Sequence, residues 1–503
     1  MKLDKGNLPQ IFSRWKVCLT GAAALLVAVF PLQGQDSVGT PSSKVERFNK
    51  APVSREILRV KLPRPVEARL KNGLTVLILE DHRAPYVTLQ LHLGAAGALF
   101  EPADRIGLAN ATALMLREGT KSRSSVQIAE QIDRLGAGLS AGSSFGSPDA
   151  VLSGAGLSDN FDEWFAVFVD VLLNPTFPAD ELEKLKQRQR AHLREQRSSS
   201  GFLISERFNR AVYGEHPAAQ VSVTPESIDK LTRDALVQWH RERYEPGQAI
   251  LGIAGDVRAK DLIEKLEKRL LEWKQADVAP AWPRDPAPST ARRVLLVDRP
   301  NSVQTTLALG NIAIDRHSAD YMPMVVMNYI LGGGASSRLF LNLREEKGYT
   351  YGVYSDFSAL RYPGPWRAGG NMRTEATEGA LREFFFEFRR IREEQVTAEE
   401  LEASKRAIVA RFALSLEQPA RVLGFAITTK QYGFPGDYWD AYPARIMAVT
   451  AADVQRVARK YLNLDALQIV AVGDASKINT ALANYGKIEV FDTNGTLLGA
   501  AQP

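Results

Sequence analysis

This chain of 503 residues carries two diverged copies of one sequence, and that duplication constrains its fold more than any composition value. Phe177 to Lys184 (Phe-Pro-Ala-Asp-Glu-Leu-Glu-Lys) is similar to Val396 to Ala403 (Val-Thr-Ala-Glu-Glu-Leu-Glu-Ala), with Leu182 matching Leu401. Ile250 to Asp256 is similar to Gln468 to Asp474, both apolar runs closing on Gly-Asp. Leu93-Gly94 matches Leu309-Gly310. The offsets stay between 216 and 219, so three pairs follow in order at nearly constant spacing. Between the copies lies a stretch without periodicity, punctuated by Pro280, Pro283, Pro286 and Pro288, and prolines stiffen such a connection. The expected organisation is a segment 36–56 without regular structure, domains at 57–278 and 290–485, a linker at 279–289, and a tail over 486–503.

Within each copy, strands precede helices. Residues 74–80 and 86–93 read as neighbouring strands joined by the polar turn Asp81-His82-Arg83. Residues 180–197 read as a charged helix starting after Pro178, where a missing amide donor costs little. Thr397 to Glu400 reads as a capping box opening the matching helix. Strands adjacent in sequence, followed by runs of helices, predict an α+β fold: two similar domains, each a largely antiparallel sheet packed by helices. Strict strand–helix alternation and a Gly-x-Gly-x-x-Gly turn are both missing, which argues against a doubly wound sheet.

The first 16 residues are basic, with Lys2, Lys5, Arg14 and Lys16 against Asp4, and an apolar run follows over 17–31. That run is shorter than the roughly 20 residues of a membrane span. With the polar exit at Gln33 to Asp36, residues 1–35 read as a secretory signal, so the expected location is periplasmic or secreted, with no membrane span after signal removal; the alternative is an uncleaved anchor. The single cysteine, Cys18, lies inside this segment, which leaves the mature chain without thiols for disulfides or metal. The formal charge of +5 is small for this length and partly resides in that leader, so nothing marks a nucleic-acid surface.

Two stretches carry the candidate chemistry. Gly107 to Thr120 (Gly-Leu-Ala-Asn-Ala-Thr-Ala-Leu-Met-Leu-Arg-Glu-Gly-Thr) reads as an amphipathic helix packing Leu108, Met115 and Leu116 and ending at a glycine turn. Asn110, Ala113 and Leu114 share one face of it. None of the three can hold zinc or take a proton from water. The six histidines, His82, His92, His192, His216, His240 and His317, are too scattered for any helix to offer a paired imidazole face. Further on, Leu331 to Phe340 (Leu-Gly-Gly-Gly-Ala-Ser-Ser-Arg-Leu-Phe) precedes Leu343 to Tyr351 (Leu-Arg-Glu-Glu-Lys-Gly-Tyr-Thr-Tyr). Arg344 offers fixed hydrogen-bond donors, and the phenol of Tyr351 can donate to a developing oxyanion. The bland alternative pairs Arg344 with Glu345 or Glu346 and packs Tyr351 on a strand.

These two stretches resemble the insulinase/pitrilysin metallopeptidase family, and a non-catalytic subunit of the mitochondrial processing peptidase-like type in particular. That family's zinc helix reads Gly-Leu-Ala-His-x-x-Glu-His before Gly-Thr. Its histidines and glutamate fall here on Asn110, Leu114 and Ala113, and its later glutamate matches best at Glu195. The second signature, Ser-Ser-Arg-Leu leading to Arg-Glu and a tyrosine seven residues after the arginine, is intact at Arg344 and Tyr351. The resemblance implies a clam-like chamber formed with a partner. It implies no metal bound by this chain, with zinc in a homologous partner subunit that has an intact His-x-x-Glu-His motif. Arg344 and Tyr351 would be contributed to the partner's catalytic site. Gly332, Gly333 and Gly334 would form a loop contacting peptide substrates, with a plain turn before a helix as the alternative. The implied function is the zinc-less subunit of a heterodimeric metallopeptidase. The alternative is an inert scaffold or peptide-binding module of an envelope complex.

Overall fold

The computed structural model describes residues 56–275 and 281–501. The proposed leader 1–35 and the segment to residue 55 lie outside the described residues. Residues 57–503 cluster as one compact unit rather than two.

Among the described residues, thirteen strands form two sheets. The first sheet uses β1 (Val66–Arg69), β2 (Thr75–Glu80), β3 (Tyr86–Leu93), β4 (Gly138–Ser143), β5 (Ala150–Leu157) and β6 (Ala249–Gly255), in the order β1-β2-β6-β3-β5-β4. The second uses β7 (Arg293–Asp298), β8 (Gln304–Ile314), β9 (Thr350–Ala359), β10 (Pro363–Arg373), β11 (Gln468–Gly473), β12 (Ile488–Phe491) and β13 (Leu497–Ala501), in the order β13-β12-β7-β11-β8-β10-β9. The series β2-β6-β3-β5-β4 and β7-β11-β8-β10-β9 are the same five-strand motif. In both, the first pair is parallel and the remaining pairs are antiparallel. The fold is α+β with two similar, largely antiparallel sheets packed by helices.

Three sequence expectations need correction. β2 and β3 are not neighbours, because β6 lies between them, parallel to β2 and antiparallel to β3. Five linking residues easily span the roughly 10 Å across two strand spacings. The stretch 486–503 is not a tail, since β12 and β13 extend the second sheet beyond β7. Two arginines of the first half fasten that hairpin: Arg197 donates to the Thr493 carbonyl and Arg207 to the Gly495 carbonyl. Finally, Thr397 caps the helix Ala398–Ser415 through the Glu400 amide, but no reciprocal capping box forms. The Glu400 carboxylate is committed to Arg338, with two hydrogen bonds of 2.8 and 2.7 Å.

Continuous apolar runs such as Val76 to Leu79 need cover on both faces. In β2, Val76 and Ile78 join the first half's own core. Leu77 and Leu79 instead meet Val422, Leu423 and Ile427 of the helix Pro419–Tyr432, which belongs to the second half. The exchange is reciprocal. In β7, Val294 and Leu296 face their own helices, whereas Leu295 and Val297 meet Leu203, Ile204, Phe208 and Val212 of the helix Ser200–Tyr213. Gly252 in β6 lets the visiting helix approach, because a Cβ there would come within 2.7 Å of the Ile427 side chain. Each half thus lends a helix to the other's sheet, which leaves the β9–β10 end of the second sheet's face open beside Phe208.

Candidate functional site

The first half's candidate helix is Leu108–Met115, shorter than expected, and it is not amphipathic. Leu108, Ala109, Ala111, Thr112, Ala113 and Met115 are all buried. Of the face Asn110, Ala113 and Leu114, Ala113 is inside the core and the other two are half-buried. The Asn110 amide nitrogen donates to the Ser143 carbonyl at 2.9 Å, tying the helix to β4. An amide, a methyl and an isobutyl group do not suit zinc, which takes imidazole, thiolate or carboxylate. Among the described residues, no group of three or more His, Cys, Asp or Glu side chains is placed to hold a metal ion. Glu195 lies on the outer surface of the helix Ala179–Gln196, 81% exposed, with His192 at 3.7 Å.

A residue that sequence reasoning missed closes this helix. The Glu101 carboxylate accepts from the amides of Gly107 at 2.9 Å and Ala109 at 2.6 Å, satisfying two donors that helix geometry leaves orphaned. Burial outweighs these hydrogen bonds and pushes the Glu101 carboxyl up to about 7. The signal for it was faint, an acid six residues ahead of the glycine that caps the helix.

Beside the helix lies a cavity of about 600 Å³ between the two halves. Asn110, Ser144, Asn209 and Gln220 of the first half and Ser358 and Tyr362 of the second are among its walls, and no charged side chain lines it. The polar walls beside this helix are neutral amides and hydroxyls.

The second stretch folds differently from a plain turn and helix. The helix Tyr321–Gly332 ends at the glycine run, and a single turn Arg338–Phe340 passes into a π-helical segment Leu341–Glu346. The Lys347 amide reaches back five residues to the Asn342 carbonyl at 3.0 Å. Buried Asn342 anchors this widened turn by donating to Glu383 at 3.1 Å and to Glu387 at 3.0 Å. Arg344 projects from it, its guanidinium 4.8 Å from the Phe340 ring centroid and hydrogen-bonded to Glu345 at 2.6 Å. So the pairing named in the bland alternative is present for the arginine.

It does not hold for the tyrosine. Tyr351 is 90% exposed. It sits where two residues of β9, Tyr351 and Gly352, oppose one of β10, since Val353 pairs with Gly370 and Thr350 with Met372. This is a β-bulge, a device that re-aims a side chain. Arg344 and Tyr351 open onto the same cavity of about 360 Å³, shared with Gln304, Asn371 and Arg373. Both side chains therefore ride on one-residue insertions, a π-turn and a bulge, each common at functional sites.

The glycine run lies in the connection leaving the helix Tyr321–Gly332. A Cβ at Gly332 would come within 2.4 Å of the Ser355 amide nitrogen, so this glycine lets the helix press on β9. A Cβ at Gly333 would meet Tyr329, and one at Gly334 would approach Arg411. None of the three lines the cavity that Arg344 and Tyr351 share.

With this geometry described, comparison with known proteins gives a consistent picture. Residues 75–226 match the family model described as insulinase (peptidase family M16), and residues 230–408 match the one described as peptidase M16 inactive domain. An uncharacterized zinc protease of Rickettsia bellii is 26% identical over 412 residues, covering 80% of this chain and 96% of that protein. A protein of Helicobacter pylori called non-peptidase homolog YmxG is 23% identical over 407 residues, covering 80% and 92%. Among solved structures, a peptidase M16 inactive domain from Pseudomonas fluorescens superposes with a TM-score of 0.76 at 29% identity, covering 82% of this chain and 98% of that one. A protease from Helicobacter pylori shares the fold, with a TM-score of 0.74 at 21% identity.

Proposed function

Since the chain belongs to the insulinase family, peptidase M16, as a member whose metal-binding helix is chemically blank, we propose that it is the non-catalytic subunit of a heterodimeric zinc metallopeptidase. The partner is a homologous chain with an intact His-x-x-Glu-His helix, and it supplies the zinc. This chain binds an extended peptide and presents Arg344 and Tyr351 to the partner's site. The basic and apolar start of the sequence supports a periplasmic or secreted location for the pair.

One observation carries this reading. The Leu108–Met115 helix offers no imidazole, thiolate or carboxylate for zinc, while Arg344 and Tyr351 open together onto one cavity with the phenol almost wholly exposed. An exposed tyrosine on a bulge does little for the stability of its own chain. Its phenol can donate a hydrogen bond to a carbonyl oxygen as negative charge develops there. The Arg344 guanidinium can hold a neighbouring peptide carbonyl in a fixed orientation.

The test is reconstitution with the zinc-bearing homologue that copurifies from the native source. Tyr351→Phe in this chain is expected to lower the pair's kcat for peptide cleavage by roughly 10²-fold, the usual cost of one lost oxyanion donor, and Arg344→Ala to lower kcat/KM through weaker hold on the peptide backbone. Cleavage at the wild-type rate by both mixtures would remove the catalytic role and favour a scaffold.

A further inference from the structure

The two cavities are joined by an open strip of sheet. On the face of β9–β10 that the helix Ser200–Tyr213 leaves uncovered, alternate side chains point outward, because successive residues of a strand face opposite sides. Ser358 and Pro365 line the larger cavity between the halves. Asn371 and Tyr351 line the smaller one. Between them on the same face lie Tyr354, Asp356 and Arg367. The run of β10 from Pro365 to Arg373 is eight residue steps, about 27 Å at strand spacing. Gly352 contributes to the strip, since a Cβ there would press within 3.1 Å of the Tyr354 ring, which lies along the strand.

Midway along the strip, Asp356 and Arg367 are directly opposite across the two strands. Opposed residues carry Cβ atoms only about 5 Å apart. Yet neither side chain makes a hydrogen bond or ion pair within the described residues, and the Arg367 guanidinium lies 5.5 Å from the Phe208 ring centroid instead. Asp356 is exposed and Arg367 half-buried, and neither is spent on a polar partner within the described residues. Burial pushes the Asp356 carboxyl up and the Arg367 guanidinium down, each only partly offset by the other's charge. A donor and an acceptor, side by side and unengaged, match the two polar ends of one amide.

We infer that the open β9–β10 face is a track for an extended peptide, and that Asp356 and Arg367 select an uncharged residue at its centre. The inference rests on the peptide-binding reading above and adds the substrate's chemistry to it. Arg367 donates to an amide carbonyl while Asp356 accepts from the amide N–H. A basic side chain at that position meets Arg367, and an acidic one meets Asp356. Because the two groups are adjacent, either charge meets a like charge about as closely as an opposite one, so it gains little to offset leaving water, whereas an amide satisfies both groups at once.

Direct binding to the purified full chain tests this without the partner. The probes are fluorescein-labelled, ten-residue unstructured peptides, identical except for Gln, Glu or Lys at the centre, followed by fluorescence anisotropy. The wild-type chain is expected to bind the Gln peptide at least about tenfold more tightly than the other two. Asp356→Asn is expected to restore binding of the Glu peptide alone, and Arg367→Gln that of the Lys peptide alone. A merely structural pair would not yield these opposite, charge-matched gains, and circular dichroism of both variants checks the fold. Equal binding of all three peptides, or variants that leave the ranking unchanged, overturns the inference while leaving the proposed subunit role intact. Failure of any peptide to bind at millimolar concentration also overturns it. Charge-matched gains in a chain that does not stimulate the zinc-bearing homologue would sustain the track and refute the subunit role.

Discussion

At the scale of single residues, the chain has kept some groups for the fold and some that the fold does not need. Glu101 belongs to the first kind. Its carboxyl is raised to about 7 from an ordinary value of 4.5, so the folded state binds the proton more tightly than the unfolded chain. The stability this contributes is fully present below about 4.5 and is lost as pH rises through about 7. At 1.36 kcal/mol per unit the whole effect is roughly 3 kcal/mol. Wild type should therefore lose more stability than Glu101→Gln between pH 5 and pH 8, read as the difference between their denaturation midpoints at each pH. Parallel midpoint curves for the two proteins would show that Glu101 is not the titrating group. Gly332 is a steric case. With backbone 2.4 Å from any added Cβ, Gly332→Ala should cost about 1–3 kcal/mol by overpacking and lower Tm. An unchanged Tm would return Gly332 to the substrate-contacting role that its sequence suggested.

At the scale of elements, what could be read beforehand was what repeats or alternates. The duplicated offsets announced two similar motifs, and the strand-then-helix order announced largely antiparallel sheets. The Arg344 and Tyr351 spacing was legible as well, but not the reason both side chains stand free. A π-turn and a β-bulge each add one residue, and the amino acids at 341–346 and 351–352 do not betray it. Adjacency misled at β2 and β3, because the strand between them arrives some 170 residues later. β12 and β13 were missed because they are short and depend on Arg197 and Arg207, far away in sequence. Apolar runs at β2 and β7 showed that both faces needed cover, but not whose helix supplied it. That cover is testable at Leu423, fully buried against β2 and β6. Leu423→Ala should destabilise by about 2–5 kcal/mol. Amide exchange should quicken in β2 and β6 of the first half, across the chain from the substitution. Faster exchange confined to the second half would contradict the lent-helix arrangement.

At the scale of the whole molecule, the exchange of helices makes two sequence copies into one cooperative body. The helix Ser200–Tyr213 buries Leu203, Ile204, Phe208 and Val212 on a sheet that its own half does not contain. At about 1.5–3 kcal/mol for each buried side chain, that single exchange is worth roughly 6–12 kcal/mol. A whole domain is stable by only about 5–15 kcal/mol. A fragment of residues 57–275 would expose this helix face together with Leu77 and Leu79 of β2, and a fragment of residues 281–503 would expose the complementary surfaces. Neither is expected to fold alone, whereas coexpression of the two should yield a one-to-one complex with native near-ultraviolet circular dichroism. The expectation fails if either fragment alone is monomeric by size-exclusion chromatography and unfolds in a single cooperative transition. The distinction bears on function, because the cavity beside Asn110 is walled by side chains of both halves, and Ser358 and Pro365 at its edge begin the strip that leads to Tyr351. A chain that lent no helices could let the halves drift apart and lose that register. Interlocked sheets instead hold the walls of that cavity in fixed register, as the proposed peptide track and partner would require.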